Sequence, residues 1–540
     1  MNKRLLTLVS LLMLACFSNA QTFGEFVINP DFQGSFPRGM VVFNGNLLCA
    51  ASDSTHGFEP WITNGTNIQL LADIFPGSGN SFPQNFMVDS DLLFFQADDL
   101  TNGAELWVIE GNTLSLVKDI YPGPNPSLPQ NLFAFNHKLF FQADDGVNGS
   151  ELWISDGTTA GTTLLKDINP GTGASFPSDF TIFNGKLFFV ANNGATGPEL
   201  WVTDGTANGT ILVKDIYPDS IGSNPSGFQI YNGRLYFNAN DGADGNELWV
   251  TDGTTSGTLM LLDVNPGVSG ANPAYLTVYA GKLYFQADDG VHGPELWSTD
   301  GGIAGTQLVA DIYPGPIGSY PQDPIWYLGK LFFQATDSLN GAELWSTDGT
   351  NGGTALFKDI NAGAHSSSPA HFTIYHSNLY FIAAPDSVMG AEMFVTNGTA
   401  SGTHVIIPGG SPLTNPLVAT DRFVLFNNGL VFNAYYDPTN GEQLWYFNDA
   451  PSAIIEADRS MAFNLYPNPC RDYYHLNGFK AGETYSLTLT DIAGRVLQNQ
   501  QLQAVAEDVQ FFASSVSAGI YLLEVKSGQA KTTLRLIKND

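Results

Sequence analysis

One tripeptide constrains this chain more than any other feature. Taking the tryptophan of Glu-Leu-Trp as a marker, the sequence returns to the same place at Trp61, Trp107, Trp153, Trp201, Trp249, Trp297 and Trp345, then at Phe394 and Trp445. Steps of 46 to 51 residues make nine units. A period of that length means one supersecondary element repeated in series, each copy burying its apolar face on the next. The residue four before the marker is glycine in all nine units, from Gly57 to Gly441. The residue two before is glutamate in eight, with Gln443 the exception, and the residue eight before is aspartate in eight, with Asn193 the exception.

Residues 180–216, FTIFNGKLFFVANNGATGPELWVTDGTANGTILVKDI, show what a unit contains. FTIF passes through Asn184-Gly185 into KLFFVA, and an Asn-Gly pair between apolar runs is the strongest short-range hairpin signal. A glycine-rich loop leads to ELWVT, and Asp204-Gly205-Thr206 with Gly209 turns the chain into ILVKDI. No 3.6-residue apolar period is sustained, so the unit reads as four strands without a helix. Four strands in about 48 residues is the size of one β-propeller blade. The fold class is therefore all-β, a propeller of about nine four-stranded blades; eight blades plus an irregular unit, or an open β-solenoid, are the alternatives. Residues 28–45 align without a gap to residues 168–185, which puts Glu25-Phe26-Val27 where other units have their fourth strand. The ninth unit leaves through YFNDAPSAIIEAD and lacks that strand, so the N-terminus is expected to supply it and close the circle, with Ala453 to Ala457 as the competing source.

The repeats resemble the ELWxxDGT family of bacterial exported proteins, through ELWVTDGT at 199–206 and again at 247–254. The resemblance covers roughly residues 23–449 of a domain placed at 21–449, and it implies little about function. Units one, two, eight and nine depart from the motif, as terminal repeats do. Residues 450–462 read as a linker, and residues 463–540 as a small β-sandwich of a different kind. Tyr466-Pro467-Asn468-Pro469, then Asp491 to Arg495 and Gly519 to Val525, are similar to the type A C-terminal sorting domain of the type IX secretion system. That resemblance implies passage through the outer membrane, followed by removal of the domain and release or attachment at the cell surface.

Residues 1–20 fit a cleaved secretory signal: Lys3 and Arg4, an apolar run from Leu5 to Phe17, and small residues before Gln21. A lipid on Cys16 is the other reading of the same stretch. No other stretch is long and apolar enough for a transmembrane helix, so none is expected in the mature chain. Cys49 and Cys470 fall in different domains and make no disulfide framework. With 21 basic against 52 acidic side chains, the formal net charge of −31 repels nucleic acid and anionic membranes. Residues 461–540 hold seven of each sign, so the excess lies in the repeats. The partners expected are the type IX machinery and a glycan or protein ligand.

Catalysis needs one constellation, whereas the Asp, Gly and Glu pattern recurs in nearly every unit, so no catalytic residue is assigned. In the structural reading the aspartate accepts backbone N–H groups, the glycine takes a positive φ, and the glutamate pairs across a neighbouring strand. In the ligand reading each unit holds a calcium ion, with Asp145 and Glu151, Asp241 and Glu247, and Asp289 and Glu295 as hard oxygen ligands. Calcium is the only cofactor weighed, and the spacing is not that of an EF-hand. A unique site belongs where the repeat is broken. His365, His371 and His376 match no zinc spacing and read as surface residues. Arg38, Arg234 and Arg422 invite comparison with an arginine cluster, while Trp326 and Tyr327 add aromatic area for a sugar or for packing. The function expected is a secreted or surface-displayed binding or structural module. An extracellular polysaccharide hydrolase or lyase on the same scaffold is the alternative.

Overall fold

The computed structural model describes residues 22–31, 33–386, 390–408 and 422–449, and seven strands between residues 464 and 538. The signal-peptide reading, Cys16, Cys470, the linker and the Ala453 to Ala457 alternative lie outside the described residues. The chain divides after Ala450 into two compact units.

Up to that point the described residues form nine four-stranded antiparallel sheets. Eight are continuous in sequence: Arg38–Leu70, Gln84–Lys118, Gln130–Lys166, Ser178–Lys214, Ser226–Leu262, Ala274–Ala310, Gln322–Lys358 and Ala370–Ile406, called sheets one to eight. Sheet nine takes Val424–Phe426, Gly429–Ala434 and Gln443–Asn448 and is completed by Thr22–Phe26. Phe26 lies opposite Leu444, and Thr22 opposite Asn448, so the N-terminus provides the fourth strand, as the alignment of residues 28–45 predicts.

Second strands such as Lys186–Asn192 are buried over five consecutive residues, since both faces of each sheet are covered and alternation gives way to a continuous apolar run. The buried side chains fall into clusters shared by successive sheets. Phe43 and Leu48 meet Leu93 and Phe95 between sheets one and two. Phe332 and Leu344 meet Phe381 between sheets seven and eight. Tyr380 and Met393 meet Phe432 and Trp445 between sheets eight and nine, and Phe26 and Leu444 meet Leu47 and Trp61 between sheets nine and one. Cys49 is buried in this last cluster. The first strand of each sheet from one to seven lies against the first strand of the next, and the first strand of sheet nine touches that of sheet one. The first strands therefore gather on one side of the array. Lysines of the fourth strands tie sheet to sheet on the other: Lys118 Nζ donates to Thr162 O at 2.8 Å and lies 5.6 Å from the Trp153 ring.

Each first strand of sheets one to eight carries a bulge at its start. In sheet six Ala274 pairs with Gln286 and Thr277 with Tyr284, so three steps on one strand oppose two on the other. The residue after the break takes a left-handed backbone, as a bulge of this kind demands: Gly39, Asn85, Asn131, Asp179, Gly227, Tyr275, Asp323 and His371 all have φ between 49° and 69°. By its pairing register, with Val424 opposite Val431, Arg422 holds the same place in sheet nine.

The second unit contains a three-stranded antiparallel sheet, of Asn464–Tyr466, Tyr473–Asn477 and Asp508–Phe512, and a four-stranded one, of Thr484–Asp491, Val496–Gln503, Gly519–Ser527 and Ala530–Lys538. Leu476 of the first shares a buried cluster with Tyr485, Leu487, Leu523 and Val525 of the second.

Candidate functional site

The repeated carboxylates divide into two sets with different partners. The aspartates close their own loops. Asp145 Oδ1 accepts from Val147 N at 2.9 Å and Asn148 N at 2.8 Å, and Oδ2 from Asn148 Nδ2 at 2.7 Å. Asp241 accepts from Ala243 N and Asp244 N, both at 2.9 Å. Asp289 accepts from Val291 N and His292 N, and its Oδ2 lies 2.7 Å from His292 Nδ1. Partial burial pushes the Asp145 and Asp289 carboxyls up, but these donors together outweigh it and hold both below the usual carboxylate range. The glycine four before the marker has φ between 68° and 74° in every unit, and at Gly149 a Cβ would stand 2.4 Å from Gly173 O.

The glutamates do not pair across a neighbouring strand. They are fully buried and reach the segment that leads into the next sheet. Glu151 accepts from Ile168 N at 2.8 Å, Asn169 N at 3.1 Å and Ser175 Oγ at 2.7 Å. Glu247 accepts from Val264 N, Asn265 N and Ala271 N, and Glu295 from Tyr313 N and Ser319 Oγ. Burial pushes the carboxyls up, to about 7 for Glu247 and Glu295, against the pull of their donors. Gln443 repeats the pattern with an amide: Oε1 accepts from Ile28 N at 3.0 Å, while Nε2 donates to Asn440 O at 2.7 Å and to Asn29 O, where a carboxylate would face two carbonyls. Thus each aspartate and glutamate offered for calcium is engaged by N–H or O–H donors, each toward a different segment. Among the described residues no group of three or more His, Cys, Asp or Glu is placed to hold a metal ion.

The bulge position on the first strands behaves differently, because its occupant changes from sheet to sheet. Gly39 and Gly227 have no side chain there, and Asn85 and Asn131 donate through Nδ2 to Pro129 O at 3.3 Å and Pro177 O at 3.1 Å of the next sheet. In sheets six to nine the same place holds Tyr275, Asp323, His371 and Arg422, and all four line one open pocket of about 300 Å³. Tyr275 is 41% exposed. Burial, and then the nearby Asp323 charge, push its phenol up. Asp323 is the only carboxylate among the described residues lining the pocket.

Spacing places His371 on the surface, and it lies there half-buried in the wall of this open pocket. His376 lies elsewhere, 2.6 Å from Asp449 Oδ1. The arginines do not form one cluster: Arg38 lines a different pocket with Phe36 and Phe82, and Arg234 starts the second strand of sheet five opposite Tyr231. Trp326 and Tyr327 separate, with Trp326 52% exposed and Tyr327 buried and donating to Ser377 O at 2.8 Å. The signal for the pocket was present in the sequence as a column of Gly, Asn and Asp, the residues most at home at positive φ, interrupted by Tyr275 and His371.

Residues 464–539 match the family model of the secretion system C-terminal sorting domain. This tail supports export by the type IX route, with its interaction with that machinery, and a secreted or cell-surface location. No helix among the described residues is long and apolar enough to cross a membrane. No curated protein matches the chain. Among solved structures it is similar to a prolyl endopeptidase, at 12% identity and a TM-score of 0.37, covering 66% of this chain and 55% of that one. It is similar to oligopeptidase B from Leishmania major at 11% and 0.37, covering 68% and 54%. The extracellular domain of a one-component system from B. thetaiotaomicron gives 9% and 0.29, covering 93% and 81%. The chain thus spans little more than half the length of these peptidases.

Proposed function

We propose that this chain is a β-propeller of nine blades that acts outside the cell as a binding module, carried there by its C-terminal sorting domain. The shared clusters that run from sheet to sheet, and the N-terminal strand completing sheet nine, support the closed ring. The two small sheets over a common core support a β-sandwich tail, and the repeated ELWVTDGT stretches support membership of the ELWxxDGT family. Residues 1–20 are removed as the signal peptide, and the tail after it has served.

The ligand enters on the side where the first strands gather. The observation that carries this reading is the bulge position: one structural place, filled by glycine, a tethered asparagine or Asp179 in sheets one to five, becomes Tyr275, Asp323 and His371 in three consecutive sheets, and these line one pocket with Arg422 at the aligned place of sheet nine. Hydrolysis of a glycoside uses two carboxyl groups flanking the bond, and among the described residues this pocket offers Asp323 alone; binding is therefore favoured over the hydrolase reading. The test is to incubate the purified full chain with immobilised polysaccharides and with protein extracts and to analyse both retention and products. Retention without cleavage, lost in Asp323→Gly and His371→Gly, is expected. Release of sugar or peptide overturns the binding reading.

A further inference from the structure

Resting on the pocket reading above, we infer that the ligand of the pocket is a neutral saccharide. Four side chains of distinct chemistry converge there. Tyr275 presents an exposed aromatic ring, and the CH face of a pyranose packs on such a surface as any apolar face does. Asp323 is a planar acceptor that takes two neighbouring hydroxyls at once, and Arg422 is a planar donor fork that gives two bonds back. The His371 imidazole both donates and accepts. A cavity of about 300 Å³, partly polar and open to one side, has the size of a small-ligand site.

Charge narrows the class further. Among the described residues that line the pocket the Asp323 carboxylate and the Arg422 guanidinium offset one another, so this lining asks for no net charge on its occupant. Between residues 21 and 449, 11 basic side chains stand against 43 acidic ones, and a field of that sign turns away polyanions before they arrive. A neutral chain of hydroxyls meets no such barrier.

The backbone supplies an independent argument. Tyr275 holds a φ of 56°, a region in which a bulky aromatic side chain is strained. At the same place sheets one and five use glycine, at φ 62° and 69°. The fold therefore accepts glycine at this position, and a side chain kept there against strain has a use other than holding the sheet. The same comparison gives variants that keep their fold: Tyr275→Gly and Asp323→Gly.

The experiment titrates the purified full chain with four neutral probes, cellohexaose, xylohexaose, mannohexaose and laminarihexaose, and with hexagalacturonate and tryptic casein peptides as competitors of other chemistry, by calorimetry and saturation-transfer NMR. The expected result is that at least one neutral hexasaccharide binds, hexagalacturonate does not, and both glycine variants weaken binding at least tenfold with no fall in melting midpoint. Asn131→Ala, at the same structural position outside the pocket, keeps full affinity. Binding only of hexagalacturonate or of peptides, lost in the glycine variants, overturns the saccharide inference while leaving the pocket in place. A neutral sugar bound equally by the wild type and both variants overturns the pocket reading as well. No binding by any neutral probe at millimolar concentration also overturns the inference.

Discussion

The buried glutamates and the bulge position occur in the same sheets and obey opposite rules. Seven of the eight glutamates repeat one task, gathering the amides of the segment that enters the next sheet: Glu199 takes Ile216 N, Tyr217 N, Ser223 N and Ser223 Oγ as Glu343 takes Ile360 N, Asn361 N, Ser367 N and Ser367 Oγ. The bulge residue shares only its backbone with its neighbours. Within a repeat, sameness of side chain marks a structural part, because every copy must solve the same packing problem. Change of side chain on an unchanged backbone marks a place released from that problem, and that is where ligand chemistry can be built.

The largest expected effect breaks the glutamate side of this contrast. Glu199→Ala leaves three amides and a serine hydroxyl without their acceptor in a buried place. Each orphaned donor costs roughly 1–3 kcal/mol, and water entering the cavity recovers part, so a loss on the order of 3–5 kcal/mol is expected in denaturant melts. Glu199→Gln keeps one acceptor oxygen and should lose about half as much. A loss under about 1 kcal/mol for the alanine variant would remove the glutamates from the structural set.

Glu392 sharpens the same contrast from the opposite direction. It is fully buried, and among the described residues neither carboxylate oxygen has a partner. Burial pushes it up to about 8 and, after burial itself, its charge helps to push the neighbouring Tyr436 phenol up. A carboxyl with a folded value above its unfolded one binds more protons in the fold, so stability falls as pH rises from about 4.5 to about 8 and is unaffected below that window. Glu392→Gln removes the ionisable group. Its melting midpoint should exceed that of the wild type by several degrees at pH 8.5 and match it at pH 4; equal midpoints at both would show that the carboxylate finds donors when it ionises.

How much of this was legible in the sequence follows from the same distinction. The nine units, their four strands and the N-terminal strand of sheet nine could be read because they depend on period and turn chemistry, which Asn184-Gly185 or Asp204-Gly205-Thr206 announce locally. The partners of Glu151 could not: Ile168 and Ser175 lie 17 and 24 residues on, across a linker whose path only the packed sheets fix. The pocket needs four residues from Tyr275 to Arg422 to meet through the stacking of separate sheets. His371 meets the pocket at a bulge between Ala370 and Thr373 that shifts the pairing register by one, a feature that strand alternation does not announce.

On the bulge side, Tyr275→Gly tests whether the varied residues are free of structural duty. Relief of the strained φ competes with the greater entropy of an unfolded glycine, so the expected change is small, between zero and a gain of about 1 kcal/mol in denaturant melts. A loss of more than about 1 kcal/mol would make Tyr275 a packing residue and return it to the class of the glutamates.

The smallest effect expected is none, and it concerns the cation reading of the repeat. Calcium takes six to eight oxygens at once, drawn from a carboxylate's outward lone pairs. Asp145 already accepts three N–H donors and Asp289 two, with His292 Nδ1 on its second oxygen, while Glu151 and Glu295 are turned away into the linkers of the next sheets. A cation at these places would have to displace amide donors that close the loop, and the displaced amides would then be left unpaired. Melting the chain in millimolar calcium and in chelator should therefore give the same midpoint. A drop in chelator that calcium restores, and that Asp145→Asn or Asp289→Asn abolishes, would move the aspartates out of the structural set and make the loops repeated cation sites.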